Sequence, residues 1–200
     1  MLAVVIFVKR LANAKSRLST ILSPHDRLAF ASRMLLQVAD AARGAIGVGE
    51  VIVVSPDTEI TAIFGGRDVR FLHERKSRGL NAAALFATAK LAAAGTPRAL
   101  LLPADLPRIR SEHIEALIET HSRTGRDTIV PATDGSGTNA LIVELPPRFA
   151  LAFGPDSFNR HLANAARSKR LLAVHRCLHI GFDIDRPEDF RHPSCGMMMC

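Results

Sequence analysis

The seven residues Leu2–Val8, LAVVIFV, leave a chain few folds to choose from. A run that is apolar at every position and rich in β-branched side chains is a strand buried on both faces. Only a sheet covered by helices on each side offers that environment. Further short apolar runs follow at Glu50–Ser55, Val69–Leu72 and Ala99–Leu102, and helical stretches separate them. Ser23 caps a helix with Pro24 at its first position, and Leu28, Ala31, Leu35, Val38 and Ala42 then step at helical spacing to Gly44. Gly79 to Ala94 is Ala/Leu-rich. Ser111 opens a helix to about Arg123, with Glu112 and Glu115 in a first turn whose dipole favours them. Thr128–Pro131 and Ala140–Leu145 are strands about a Gly-rich turn, Asp134 to Gly137. Ser157–Ser168 is helical, Leu171–His175 extended, and Ile180–Ile184 a last short strand. This alternation predicts an α/β fold, a mostly parallel sheet flanked by helices. With no repeat and no linker, it is a single domain over residues 1–191, and 192–200 form an aperiodic, disordered tail.

Bulk properties narrow the function classes. Two hundred residues suit one domain. The net charge of +7 raises a nucleic-acid-binding module as one reading. Against it, the basic residues are scattered, and ten Phe with no Trp or Tyr offer few stacking platforms. A groove that handles phosphates accounts for the charge equally well. Cys177, Cys195 and Cys200 show no metal spacing, which fits a reducing compartment. The N-terminal apolar run is too short for a membrane span and carries Lys9 and Arg10 after it, not before. The expected location is the cytoplasm, away from membranes.

Three aspartates carry the chemistry. Asp105 stands just past an apolar strand, between Pro103 and Pro107, where open α/β sheets bind ligands. An aspartate capping the next helix would look the same. Asp183 and Asp185 flank Ile184, and in an extended segment residues i and i+2 share a face. Two anions that close call for a cation. Mg²⁺ favours carboxylates plus substrate phosphates, and three carboxylates could hold two ions around a triphosphate. A solvated acidic turn ahead of Pro187-Glu188-Asp189 is the plainer alternative. Lys9, Lys15 and Arg17 follow the first strand, where cationic side chains neutralise phosphates. Gly135–Asn139 is a turn whose amides could face an anion, or merely a hairpin. Ser157 stands at a helix N-terminus, a site for a phosphate or for an ordinary cap. The histidines form no metal set, and no P-loop, nucleophile elbow or dinucleotide fingerprint is present.

In order along the chain, Val8-Lys9, Ala14–Ser19, Arg33–Leu35, Gly79–Ala83, Leu102–Pro107, Gly135–Leu141, Phe153–Phe158 and Asp183–Asp185 resemble the phosphoenolpyruvate/2-phospho-L-lactate guanylyltransferases of coenzyme F-420 biosynthesis. The resemblance covers about residues 3 to 190. It departs at Phe7, where the family usually has proline, and at Ala132-Thr133-Asp134. It implies a GT-A-like, nucleotide-diphospho-sugar-transferase-like fold, GTP as donor and Mg²⁺ on Asp105, Asp183 and Asp185. It also implies an acceptor phosphate held near Thr138, Gly154 and Ser157, and a guanosine near Gly79, Asn81 and Pro103. Lys9, Lys15 and Arg17 would then serve the triphosphate. The acceptor is already an anion, its second pKa about 6, so no general base is required. The product would pass to a downstream transferase. Rival readings are the same reaction on 3-phosphoglycerate and another nucleotidyltransferase of this fold.

Overall fold

A computed structural model describes residues 1–11, 14–74 and 79–191. Among these residues seven strands form one sheet: β1 (Leu2–Phe7), β2 (Val48–Ser55), β3 (Arg70–His73), β4 (Arg98–Pro103), β5 (Thr128–Pro131), β6 (Thr138–Glu144) and β7 (Ala173–Val174). The spatial order is β3-β2-β1-β4-β6-β5-β7. All pairings are parallel except those of β6, which runs antiparallel to both β4 and β5. The start of β6 therefore lies at the same edge as the end of β4.

The continuous apolar run has a simple cause. Successive side chains of a strand point to opposite faces, and each face has its own core. Leu2, Val4 and Ile6 pack into a cluster with Leu35, Val38 and Ala42 of α1 (Pro24–Gly44) and Ile114 and Leu117 of α3 (Ser111–Thr124). Ala3, Val5 and Phe7 pack on the other side with Ala84, Ala87 and Leu91 of α2 (Leu80–Ala93) and Ala165 of α4 (Ser157–Arg167). Each fully buried aliphatic side chain contributes about 1.5–3 kcal/mol, so β1 is the strand both layers depend on.

A third, smaller cluster positions the site. Leu18, Phe182 and Ile184 are buried together, with Leu22, Phe30 and Phe190 against them. It fastens the loop after β1, including the 3-10 turn Ser16–Leu18, to the segment around Asp183 and Asp185.

Element boundaries fall within about two residues of those expected, with three corrections. Ile180–Ile184 is not a strand. Leu178–Gly181 is a short helix, α5, and an irregular segment follows it. The backbone carbonyls there are taken up without a ladder: the Asn139 amide donates to Ile180 and Gly181, and the Thr133 N–H to Gly181. Glu115 lies beyond the first turn of α3 and accepts the Ile46 N–H at 2.9 Å instead. The amides of Ser136 and Gly137 are not open to an anion, because the Asp134 carboxylate already accepts both. The expected tail, 192–200, lies outside the described residues.

Candidate active site

Asp105 leaves the C-terminal end of β4, and it does not cap α3, whose cap position is Arg110. The i, i+2 rule holds for the Asp183-Ile184-Asp185 segment although it is not a strand. Ile184 is buried in the small cluster, and the two carboxylates meet Asp105 on the other side. One carboxylate oxygen from each of the three lies within 4.8 Å of the others. Nor does this pair close the following turn. Asp189 does so, accepting the N–H groups of Asp185 and Arg186, each at 2.7 Å.

Lys15 reaches into this cluster. Its ammonium donates to Asp105 at 2.6 Å and to Asp185 at 2.9 Å, and its side chain is only 6% exposed. Arg17 adds a looser ion pair with Asp185 at 3.7 Å. Lys15 adopts the left-handed region, φ 53°, a conformation that costs a side-chain-bearing residue about 1–2 kcal/mol. Burial alone would lower the Lys15 pKa, but Asp105 and Asp185 outweigh it and hold the ammonium above its ordinary value. Burial likewise acts to raise Asp185, and the Lys15 and Arg17 charges bring it below the usual range. Asp183 has the opposite balance. Burial first, and then the Asp105 carboxylate, push it up to about 6 against a single Asn139 amide bond of 3.2 Å and the Lys15 charge. The three oxygens are a hard, anionic donor set with one member short of positive charge, and they could hold a divalent metal ion.

Beside the cluster opens a cavity of about 470 Å³, within the size range of small-molecule sites. Lys9, Lys15, Arg17, Gly79, Pro103, Asp105 and Asp185 all line it, so most of the residues expected at a nucleotide border one cavity. Asn81 does not line it. Its carboxamide is used at both ends on Phe153, donating to the carbonyl at 3.0 Å and accepting the N–H at 2.6 Å.

Thr138, Gly154 and Ser157 gather in a separate corner at the N-terminus of α4. The Ser157 N–H donates to the Gly154 carbonyl, and the Phe158 N–H to that of Ser136. Gly154 has φ 109°, a region only glycine enters freely. Ser157 is buried at the first helical position, and the cap position belongs to Asp156. Two side chains whose roles the sequence did not disclose support these corners: Asn139, read only as part of the Gly135–Asn139 turn, braces Asp183, and His161 contacts Thr138 at 3.0 Å. Both contacts join residues far apart in the chain, and no local pattern announces them.

Similarity to known proteins is consistent with this architecture. The fold matches a putative nucleotide-diphospho-sugar transferase from Desulfovibrio desulfuricans with a TM-score of 0.79, at 14% identity over 99% of this chain and 89% of that one. What the two share is the fold, a mostly parallel sheet flanked by helices. Residues 2–193 match the family model described as guanylyl transferase CofC like. The chain is 37% identical to the phosphoenolpyruvate guanylyltransferase of Rubrobacter xylanophilus over 92% of its length and 89% of that protein. It is 30% identical to the 2-phospho-L-lactate guanylyltransferase of Methanobrevibacter ruminantium, covering 92% and 81%. The protein belongs to the CofC-like guanylyl transferase family. Among the described residues no helix is long and apolar enough to cross a membrane.

Proposed function

We propose that the protein transfers GMP from GTP to the phosphate of phosphoenolpyruvate or 2-phospho-L-lactate and releases pyrophosphate. The observation that carries this reading is the convergence of Asp105, Asp183 and Asp185, two of them paired with Lys15, beside a cavity lined by further cations. The names of the relatives indicate guanylyl transfer and the two acceptors.

Asp105, Asp183 and Asp185 would hold Mg²⁺, two ions in the full complex. When bound, Mg²⁺ supplies charge neutralisation along the triphosphate and Lewis acidity at its α-phosphoryl oxygens. Lys9, Lys15 and Arg17 bring positive charge to the same phosphates, and Gly79 and Pro103 border the guanosine. Asn81 acts from behind, fixing Phe153 beside Gly154. Thr138, Gly154 and Ser157 hold the acceptor phosphate. An acceptor phosphate oxygen forms the new bond to the α-phosphorus, and the bond from that phosphorus to the bridging oxygen of pyrophosphate breaks. No proton must be removed, because the acceptor is already ionised. The work is to screen and align two anions. The diphosphate product passes to a downstream transferase of coenzyme F-420 biosynthesis in the cytoplasm, and residues 1–191 are the domain that makes it.

The test is pyrophosphate release from GTP, ATP, CTP and UTP with Mg²⁺ and each of three acids: phosphoenolpyruvate, 2-phospho-L-lactate and 3-phosphoglycerate. An enzyme that consumes the product is coupled to the reaction. GTP with one of the first two acids should be the best pair. Release that is independent of the acid, or fastest with another nucleotide, overturns the reading.

A further inference from the structure

His161 of α4 is fully buried, yet the chemistry proposed above makes no use of it. Its ring is enclosed by Phe153 and Phe149, with centroids 4.9 Å and 6.4 Å away and both rings edge-on. Its two nitrogens are not equivalent. Nε2 accepts the Ala152 backbone N–H at 2.9 Å, so in the neutral ring Nε2 carries no proton. The proton is then on Nδ1, 3.0 Å from the Thr138 hydroxyl oxygen. Neutral imidazole is one donor and one acceptor, and here the backbone of Ala152 has fixed which is which. Burial, and then the Arg160 charge, outweigh a hydrogen bond to the Ser157 backbone carbonyl, which shares the ring N–H with Thr138, and lower the His161 pKa to about 4, so the ring is neutral at ordinary pH.

The consequence falls on Thr138. A hydroxyl is one donor with two acceptor sites. With Nδ1–H donating to its oxygen, Thr138 keeps its own hydrogen for another partner. Thr138 is half-buried at the start of β6, where the Gly154 and Ser157 corner closes. We propose that His161 is a positioning residue that locks the Thr138 hydroxyl as an outward donor to an anionic acceptor oxygen. This rests on the acceptor reading of Thr138 given above. A hydroxyl without such a lock would spend part of its time accepting from, or donating to, a rotating neighbour.

Two variants separate the two ring nitrogens. The amide of His161→Asn reaches close to the Nδ1 position and keeps the donor to Thr138. The amide of His161→Gln reaches close to Nε2, keeps the acceptor for Ala152 and loses that donor. Phosphoenolpyruvate and 2-phospho-L-lactate are each titrated at saturating GTP. His161→Gln should raise the acceptor KM about tenfold, the scale of one hydrogen bond to a charged group. The GTP KM stays unchanged, and His161→Asn stays within about threefold of the parent. Thr138→Val should match His161→Gln, and the double variant should be no worse than Thr138→Val alone, because both remove the same interaction. If Thr138→Val leaves the acceptor KM unchanged, the acceptor reading of Thr138 fails, and the proposal with it. If Thr138→Val weakens the acceptor and a folded His161→Gln does not, the positioning role alone fails. The parent protein gives a check that needs no variant. The ¹⁵N shifts of His161 at pH 7 should show Nδ1 protonated and Nε2 free, and an imidazolium or the opposite tautomer overturns the proposal.

Discussion

The carboxylate cluster and the corner proposed for the acceptor share one edge of the sheet, and they are held together by different physics. Around Lys15 the contacts among the described residues are between full charges: two short ion pairs, a third at 3.7 Å between Arg17 and Asp185, and one amide bond to Asp183. Around His161 the contacts are neutral hydrogen bonds inside an aromatic box. The first region, in the function proposed above, is the one a cation would stabilise further. The second is complete before any ligand binds. A site that joins two anions needs both kinds: one part that responds to charge, and one that presents donors in a fixed geometry without spending charge.

The largest expected effect lies in the charged region. Asp105→Asn, Asp183→Asn and Asp185→Asn should each lower turnover by at least about 100-fold, roughly 2.7 kcal/mol of transition-state stabilisation. Their melting should diverge. Asp105→Asn weakens an ion pair with Lys15, whereas Asp183→Asn removes a carboxylate that burial and Asp105 already disfavour. Lys15→Ala should weaken the use of GTP and leave the acceptor titration alone. Near-full turnover by any folded aspartate variant at limiting Mg²⁺ removes that residue from the ligand set.

In the neutral region the expected loss is one of binding. Ser157→Ala should weaken the acceptor by roughly 10- to 150-fold, the value of a hydrogen bond to a charged phosphate. The thermal melt should barely move, because the cap position is Asp156 and not Ser157. A lower melting point beside an unchanged acceptor titration would make Ser157 structural only.

The two regions also differed in how far the sequence disclosed them. Asp105, Asp183 and Asp185 could be read because each sits where a strand or an extended segment delivers it, and the i, i+2 spacing sets a shared face. The packing of β1 into two cores follows from the same alternation. Lys15 was expected to face phosphates, but the sequence did not show that its ammonium bridges two carboxylates 90 and 170 residues away. The roles of His161 and Asn139 were missed for a similar reason. Each works through one partner brought close by the fold, Thr138 in one case and the Asp183 segment in the other. The misread strand at Ile180–Ile184 belongs here too. Its apolar residues are buried, as they would be in a strand, but the Asn139 side chain satisfies carbonyls that would otherwise have needed a ladder.

The smallest expected effect is the most direct measure of the contrast, because acid acts on the two regions with opposite sign. Asp183 has a folded pKa of about 6 against an ordinary carboxylate value of 3.8. The folded state therefore binds its proton more tightly, and this contribution is present below the unfolded pKa and lost as pH rises through about 6. His161 has a folded pKa of about 4 against 6.5. There the unfolded state binds the proton more tightly, so its contribution is present above the unfolded pKa and lost as pH falls through about 4. Between pH 7 and pH 5, without metal or nucleotide, acidification should add about 1 kcal/mol through Asp183 and remove about 2 kcal/mol through His161. In the parent protein the two offset in part and leave a net loss of about 1 kcal/mol. Chemical denaturation of Asp183→Asn and His161→Asn at the two pH values, with chelator present, separates them. Asp183→Asn should lose more stability on acidification than the parent, and His161→Asn should lose less. Because each variant is compared with itself at two pH values, any fixed cost of the substitution drops out. If both variants keep the parent's difference between pH 7 and pH 5, the cluster is not short of positive charge and the imidazole is not held neutral.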